Sequence, residues 1–508
     1  MIFILSIFGL FIIWYCFSRV FKRRSIPNGL KETPIEYGWP ILGIIPKIKG
    51  PMQNYLLELS RKHGPIFRIR LGMRDVVILG NYQTIRKALV DDAQIFSGRW
   101  KMKLVSVVTH DSGIVFKDGP VWSTQRSFIL KVLRDFGMGK SISQDIVQGE
   151  CLFLLNELDS LQGEIIDFSK IIPIYTANII SKFIMNKRFD RSDPRIKFIE
   201  YAIFQTSKQS DIVQRLHLMF PIFDKSTIIS KFNLWITSKL QLFSKVERVF
   251  HDEIEEHKTN LDYNSEGDDL IDRFLLEQNR LSQSTGIVES FTDKQLIFMT
   301  FEMFGAGYET TSTTLGWSML FMSRYKDIQK KVYEEILNVI GEERMPTMND
   351  KKSLNYTQAV MDEILRLSSV APLGIFHRTF NDTSVDNYFI PKNSLVFANY
   401  YACHTDPDIW LKPVEFYPEH FLIKCENDEL KYSPREELIP FGIGKRQCIG
   451  ESLARMEYFI FFVSILQRYQ VDFSENISDS LFEETLRGNE GIIRYSKIKN
   501  FIFKTHNY

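Results

Sequence analysis

Ten residues near the C-terminus, Phe441-Gly442-Ile443-Gly444-Lys445-Arg446-Gln447-Cys448-Ile449-Gly450, constrain this chain more tightly than any other stretch. Gly444 and Gly450 bracket one cysteine and are free to take φ > 0, so the backbone can run close against a flat partner where a side chain would collide. Immediately after them, Glu451, Leu453, Ala454, Met456 and the apolar run from Phe459 carry the spacing of a helix that begins just past Cys448. A thiol at a helix N-terminus with Arg446 nearby is biased toward the thiolate, the form that binds metal. The other cysteines, Cys16, Cys151, Cys403 and Cys425, are scattered without CxxC spacing, which excludes a structural zinc pattern and reads as free thiols in a reducing compartment.

The 508-residue chain shows no Gly/Ser-rich or Pro-rich linker between blocks and no repeat, so its 44% hydrophobic content predicts one large packed domain. A net charge of +1 gives no basic excess to argue for nucleic acid. Residues 1–20 read as a single N-terminal membrane anchor, because MIFILSIFGLFIIWYCF carries no charged side chain and Arg19, Lys22, Arg23 and Arg24 follow it. About 17 apolar residues is short for a span, so a helix lying in the interface is the alternative. Residues 21–50 read as a basic, proline-punctuated hinge and 51–508 as the catalytic domain, on the cytosolic side.

Within that domain, Phe67, Ile69 and Leu71 alternate with Arg68 and Arg70. Gly72-Met73-Arg74-Asp75 then leads into Val76-Val77-Ile78-Leu79, a strand, turn and strand. Elsewhere the period is helical: Ile328, Val332 and Ile336 recur every four residues, with Gly341 placed to end that helix. The fold class is therefore mainly α with a minor, locally paired β region. The polar stretch around 258–269 reads as a surface loop.

Phe441, Gly444, Arg446, Cys448 and Gly450 at these offsets would arise by chance in about one chain of this length in several thousand. They match FxxGxRxCxG, and here the chain resembles the cytochrome P450 family. Other motifs of that family follow in the expected order over nearly the whole length. Glu363 and Arg366 form ExxR on one helical face. The arginine that joins this pair in the family is replaced, in Phe416-Tyr417-Pro418-Glu419-His420-Phe421, by His420, so either His420 or another residue must supply its hydrogen bond. In Gly305-Ala306-Gly307-Tyr308-Glu309-Thr310-Thr311, small residues and weak helix formers suggest a helix passing close over a flat group with a local distortion. The residues alone allow a second reading, in which Thr310 bonds back to its own helix and Gly307 only packs.

The resemblance implies haem b, with Cys448 as axial ligand of the iron, O2 as co-substrate, and a monooxygenase activity. It implies that Glu309 and Thr310 relay protons. It implies that Arg446, Arg126, Trp122, Arg99 and His377 hold the haem carboxylates, while Phe441, Gly444 and Gly450 shape the cysteine loop. The resemblance implies a lipophilic pocket lined by Phe298, Phe301, Glu302, Ala306, Leu373 and Ile375 and by the stretches 101–116, 370–376 and 488–492. Having no nucleotide-binding G-x-G-x-x-G after a strand, the chain would take electrons from NADPH through a membrane-bound cytochrome P450 reductase, with cytochrome b5 as a second donor. The reductase would meet Lys131, Arg134, Lys140, Lys424, Lys431 and Lys445. The implied location is the endoplasmic reticulum membrane, and the implied substrates are a steroid, terpenoid hormone, fatty acid or xenobiotic. Within the family the chain looks like the microsomal drug- and steroid-hydroxylating clan, with arthropod hormone oxidases among its members. The alternatives are a haem-dependent isomerase or dehydratase of oxygenated lipids, which the acid-alcohol pair disfavours, and a non-catalytic haem carrier.

Overall fold

The described residues hold a six-stranded sheet and a 32-residue helix, Asp293–Arg324, that is buried along most of its length. The computed structural model describes residues 26–137, 141–207, 219–220, 234–286, 290–426, 428–489 and 491–506. The expected anchor, the start of the hinge and Lys140 lie outside the described residues. Among the described residues no helix is long and apolar enough to cross a membrane.

The sheet runs in the order β1 (Ile35–Glu36), β2 (Ile66–Leu71), β3 (Arg74–Leu79), β6 (Leu395–Ala398), β5 (His377–Arg378), β4 (Gly98–Arg99). Strands β2 and β3 pair antiparallel around Gly72, whose φ of +62° makes the turn. The alternation of arginines does not give a solvent face there: Arg68 is buried, because Glu32 and the Thr33 carbonyl receive its guanidinium. Strand β1 adds in parallel through Ile35 opposite Arg68, so the second half of the stretch expected as a hinge belongs to the packed body. The pairing of β4 with β5 sets Arg99 opposite His377, two residues 278 positions apart in the chain.

The helices that carry the site are α1 (Gly119–Asp135), α2 (Phe168–Met185), α3 (Pro194–Ser207), α4 (Leu234–Asn260), α5 (Leu270–Thr285), α6 (Asp293–Arg324), α7 (Lys326–Val339), α8 (Asn355–Ser368), α9 (Glu451–Arg468) and α10 (Asp479–Arg487). Helix α6 starts where Thr292 accepts from Gln295 N–H and Asp293 favours the positive end of the dipole. It is buried along most of its length, against α2, α4, α8 and α9. Helix α7 buries Val332 and Ile336 and ends as its spacing foretold, with Gly341 at φ +81° and its N–H on the Leu337 carbonyl.

Candidate functional site

The cysteine loop is closed by its own backbone, Cys448 N–H donating to Phe441 O at 3.0 Å, while Arg455 lies over the Phe441 ring. The two flanking glycines serve different ends. Gly444 has φ +78°, and a Cβ there would fall 1.8 Å from the Leu89 carbonyl oxygen, so only glycine fits. Gly450 instead has φ −90° and caps α9; a Cβ there would meet no protein atom, so it keeps a bare face rather than making a left-handed turn. Cys448 is open to solvent on one side, yet protein behind it pushes its thiol up by burial. The Gly450 N–H opposes that rise, Glu451 adds to it, and Arg126 pulls the other way. The cation acting on the thiol is thus Arg126, on α1, rather than Arg446; it donates to Gln447 O at 2.7 Å.

Arg446 turns away from the thiol and lies 3.6 Å from the centre of the Trp122 ring, donating to Ser97 O and Lys117 O at 2.8 Å each. Arg99 donates to Val115 O at 3.1 Å and Ile375 O at 2.8 Å. The three guanidiniums spend only a few of their five N–H groups each on main-chain carbonyls. They stand close enough to repel. Burial, then Arg99, push Arg446 down to about 8, and burial pushes Arg99 down to about 10. A guanidinium keeps its proton in a protein, so this pressure is a demand for anions. Among the described residues Asp118 is the carboxylate that bears on Arg446, and it is already held by Arg378 at 2.5 Å. His377 is kept neutral by burial and by the charges of Arg99 and Arg446, and its Nδ1–H is committed to Phe96 O at 2.9 Å. To donate from Nε2 as well it would have to take up a second proton, which a nearby anion would favour.

One short segment joins this cation cluster to α6. Gln295 exchanges two hydrogen bonds with the backbone of Gly113, and the Glu302 carboxylate accepts from the N–H groups of Ile114 and Val115 at 2.5 and 2.9 Å. The same segment then offers Val115 O to Arg99 and Lys117 O to Arg446. Burial pushes Glu302 up to about 7, and those two N–H donors hold it down. The carboxylate expected to line a pocket is therefore occupied in shaping the segment beside it.

Helix α6 stays α-helical throughout, without the local distortion its weak helix formers suggested. Gly305 and Gly307 make room for Ile203 of α3 and Ile180 of α2; a Cβ on Gly307 would come within 2.8 Å of Ile180. Between them Ala306 is exposed in the middle of a largely buried helix. Thr310 donates from Oγ1 to Ala306 O at 2.8 Å, which leaves the oxygen's lone pairs to accept. Glu309 accepts from the Tyr495 hydroxyl. Phe298 and Phe301 are buried in an aromatic cluster with Phe243, and Leu373 and Ile375 are half-buried beside β5.

The Glu363–Arg366 pair is wholly buried, at 2.6 Å, and every remaining valence is met. Arg366 donates to the carbonyls of His404, Pro413 and Glu415, and Glu363 accepts from Tyr417 N–H at 2.8 Å. His420 takes the place of the missing arginine: Nδ1 lies 3.2 Å from Glu363 Oε2 while Nε2 accepts from Lys412 N–H, which sets the ring's tautomer. The motifs did not point to Asp118, Gln295, Arg494 or Tyr495. Asp118 directly precedes the α1 proline turn, a position where an acid reads as a cap, and Tyr495 lies in a stretch with no periodicity.

A family model described as "Cytochrome P450" matches residues 33–493. Cytochrome P450 2B9 of Mus musculus is 36% identical over 449 residues, covering 85% of this chain and 86% of that protein. Cytochrome P450 2U1 of Homo sapiens is 35% identical over 439 residues, 84% of this chain and 77% of that protein. Cytochrome P450 2F2 of Mus musculus is 35% identical over 453 residues, 88% of each.

Proposed function

This chain belongs to the cytochrome P450 family, oxidoreductases that work with haem b and O2, and from that premise we propose that it hydroxylates or epoxidises a lipophilic small molecule with Cys448 as the iron ligand. The observation that carries this reading is the unbalanced cluster of Arg99, Arg126 and Arg446 beside the cysteine loop. Two carboxylates on a flat group are the anions this donor set lacks, and the space beside Gly450 holds no protein atom. The residues present therefore fit haem b.

In this reading Cys448 would hold the iron as thiolate, favoured by the N-terminus of α9 and by Arg126. Arg99, Arg126 and Arg446 would hold the carboxylates, with Trp122 as the plate under Arg446 and His377 behind Arg99. Haem, when bound, supplies the iron at which dioxygen is reduced and from which one oxygen atom passes to the substrate. Thr310, its own proton committed to Ala306 O, would present Oγ1 as an acceptor that holds the proton carrier in place, and Glu309 would supply protons from its carboxyl as the general acid. Ala306, between packed glycines, leaves open the side of α6 where a substrate would lie.

Apolar and aromatic residues around that opening suit a steroid, terpenoid, fatty acid or xenobiotic. Electrons would come from NADPH through a reductase, docking where Lys131, Arg134, Lys424, Lys431 and Lys445 are all exposed, and an endoplasmic reticulum anchor at 1–20 would hold the two together. Titration of the reconstituted full chain with a lipid and steroid panel tests substrate class by the shift of the haem band. Thr310→Ala should keep haem while raising the oxygen consumed per product by about 10-fold or more; unchanged coupling removes Thr310 from the relay.

A further inference from the structure

The hydroxyl that meets Glu309 comes from Tyr495, 186 residues further along the chain. It is delivered by a rigid segment. Arg494, fully buried, sends Nη1 to the Leu367 and Ser368 carbonyls at 2.6 Å each and Nη2 to the Leu486 carbonyl. Its own carbonyl accepts from Trp317 Nε1 at 2.8 Å, and the Trp317 and Tyr401 rings cover its guanidinium at 5.2 Å. Asn489 closes the segment, accepting from Tyr495 N–H at 2.8 Å and donating to Ile493 O at 3.2 Å. The backbone of Tyr495 is thereby tied to the end of α8, to α10 and to α6 itself. Burial, then the charge of Glu309, push the Tyr495 phenol up, so it keeps its proton at any working pH and acts toward Glu309 as a donor only.

We propose that Tyr495 is a positioning residue for proton delivery: its phenol fixes the direction of the Glu309 carboxylate and couples that direction to the anchors that Arg494 and Asn489 make. The inference rests on the reading of Glu309 as the relay acid. Thr310 and Glu309 are adjacent on α6, so their side chains leave the helix roughly 100° apart and cannot both be aimed by the helix alone. Thr310 is aimed by Ala306 O; Glu309 is aimed from outside, by a residue three positions past the 488–492 stretch expected to line the pocket.

The test compares the reconstituted full chain with Tyr495→Phe, Glu309→Gln and the double variant, using whichever of lauric acid or progesterone shifts the haem band more. Tyr495→Phe should keep the ferrous–CO band and thermal midpoint of the parent while the peroxide released per NADPH rises roughly fivefold, the weight of one lost hydrogen bond. The double variant should behave as Glu309→Gln alone. In the resting protein, without turnover, the infrared difference between parent and Tyr495→Phe should contain a displaced carboxylate stretch that vanishes in the Glu309→Gln background. Normal coupling in Tyr495→Phe beside an uncoupled Glu309→Gln overturns the positioning role, and so do additive effects. Normal coupling in Glu309→Gln overturns the relay reading itself and takes this inference with it.

Discussion

Two clusters of buried charge in this molecule look alike in sequence and opposite in structure. Around Glu363 and Arg366 each charge meets its counter-charge, and main-chain groups and His420 take up the rest, so the cluster is complete within the chain. Around Arg446, three guanidiniums stand together, and among the described residues the carboxylate that bears on Arg446, Asp118, is already engaged by Arg378. A buried charge is costly unless compensated. The first cluster is architecture because its compensation is internal. The second is a site because its compensation is a molecule the chain must bind.

The contrast can be broken at either end. Glu363→Gln leaves Arg366 buried and uncompensated and should cost about 3–5 kcal/mol, seen as loss of folded protein with or without haem. Arg446→Met should act the other way round. Stability of the haem-free chain, measured by thermal unfolding, should hold or rise, while haem retention, read from absorbance after gel filtration, should fall about 10- to 100-fold. If Arg446→Met unfolded the haem-free chain as Glu363→Gln does, the distinction between the clusters would collapse. His420→Ala, which strips one hydrogen bond from Glu363 and one acceptor from Lys412 N–H, should cost about 1–3 kcal/mol without altering haem retention.

A third cluster sharpens the comparison most gently. His257 Nε2 lies 2.9 Å from Asp269, and Nδ1–H donates to Glu253 O. Against the cost of burial, Asp269 raises His257 to about 9. Its folded pKa lies above the unfolded value, so this stabilisation is complete below about pH 6.5 and is lost as pH rises through about 9. His257→Gln should therefore destabilise by up to about 3 kcal/mol at pH 6 and by little at pH 10, with haem retention unchanged throughout. A variant whose deficit grew with pH would contradict the assignment.

Local chemistry was readable in the chain and its long-range closure was not. Strands β2 and β3, the end of α7 at Gly341 and the start of α9 after Cys448 follow from period, turn and cap, which are neighbours in sequence. Glu363 and Arg366 share a helical face by spacing, but a spacing of three says nothing of burial; that depends on Tyr417 and His420 folding back across α8. Arg99 and His377 become cross-strand partners only through a sheet assembled from distant strands. At Gly450 the spacing suggests a left-handed turn, while φ is −90° and no protein atom lies where a Cβ would be, so the protein around it does not demand glycine. Tyr495 carried no local signal, since its meaning lies wholly in what Arg494 anchors it beside.

The ferrous–CO difference spectrum of the reconstituted full chain, taken beside Cys448→Ser, tests the central claim most directly. Thiolate ligation by Cys448 predicts a band at about 450 nm in the parent that is absent from the variant. A parent band at the shorter wavelength of an imidazole-ligated haem, or an unchanged band in Cys448→Ser, would contradict it.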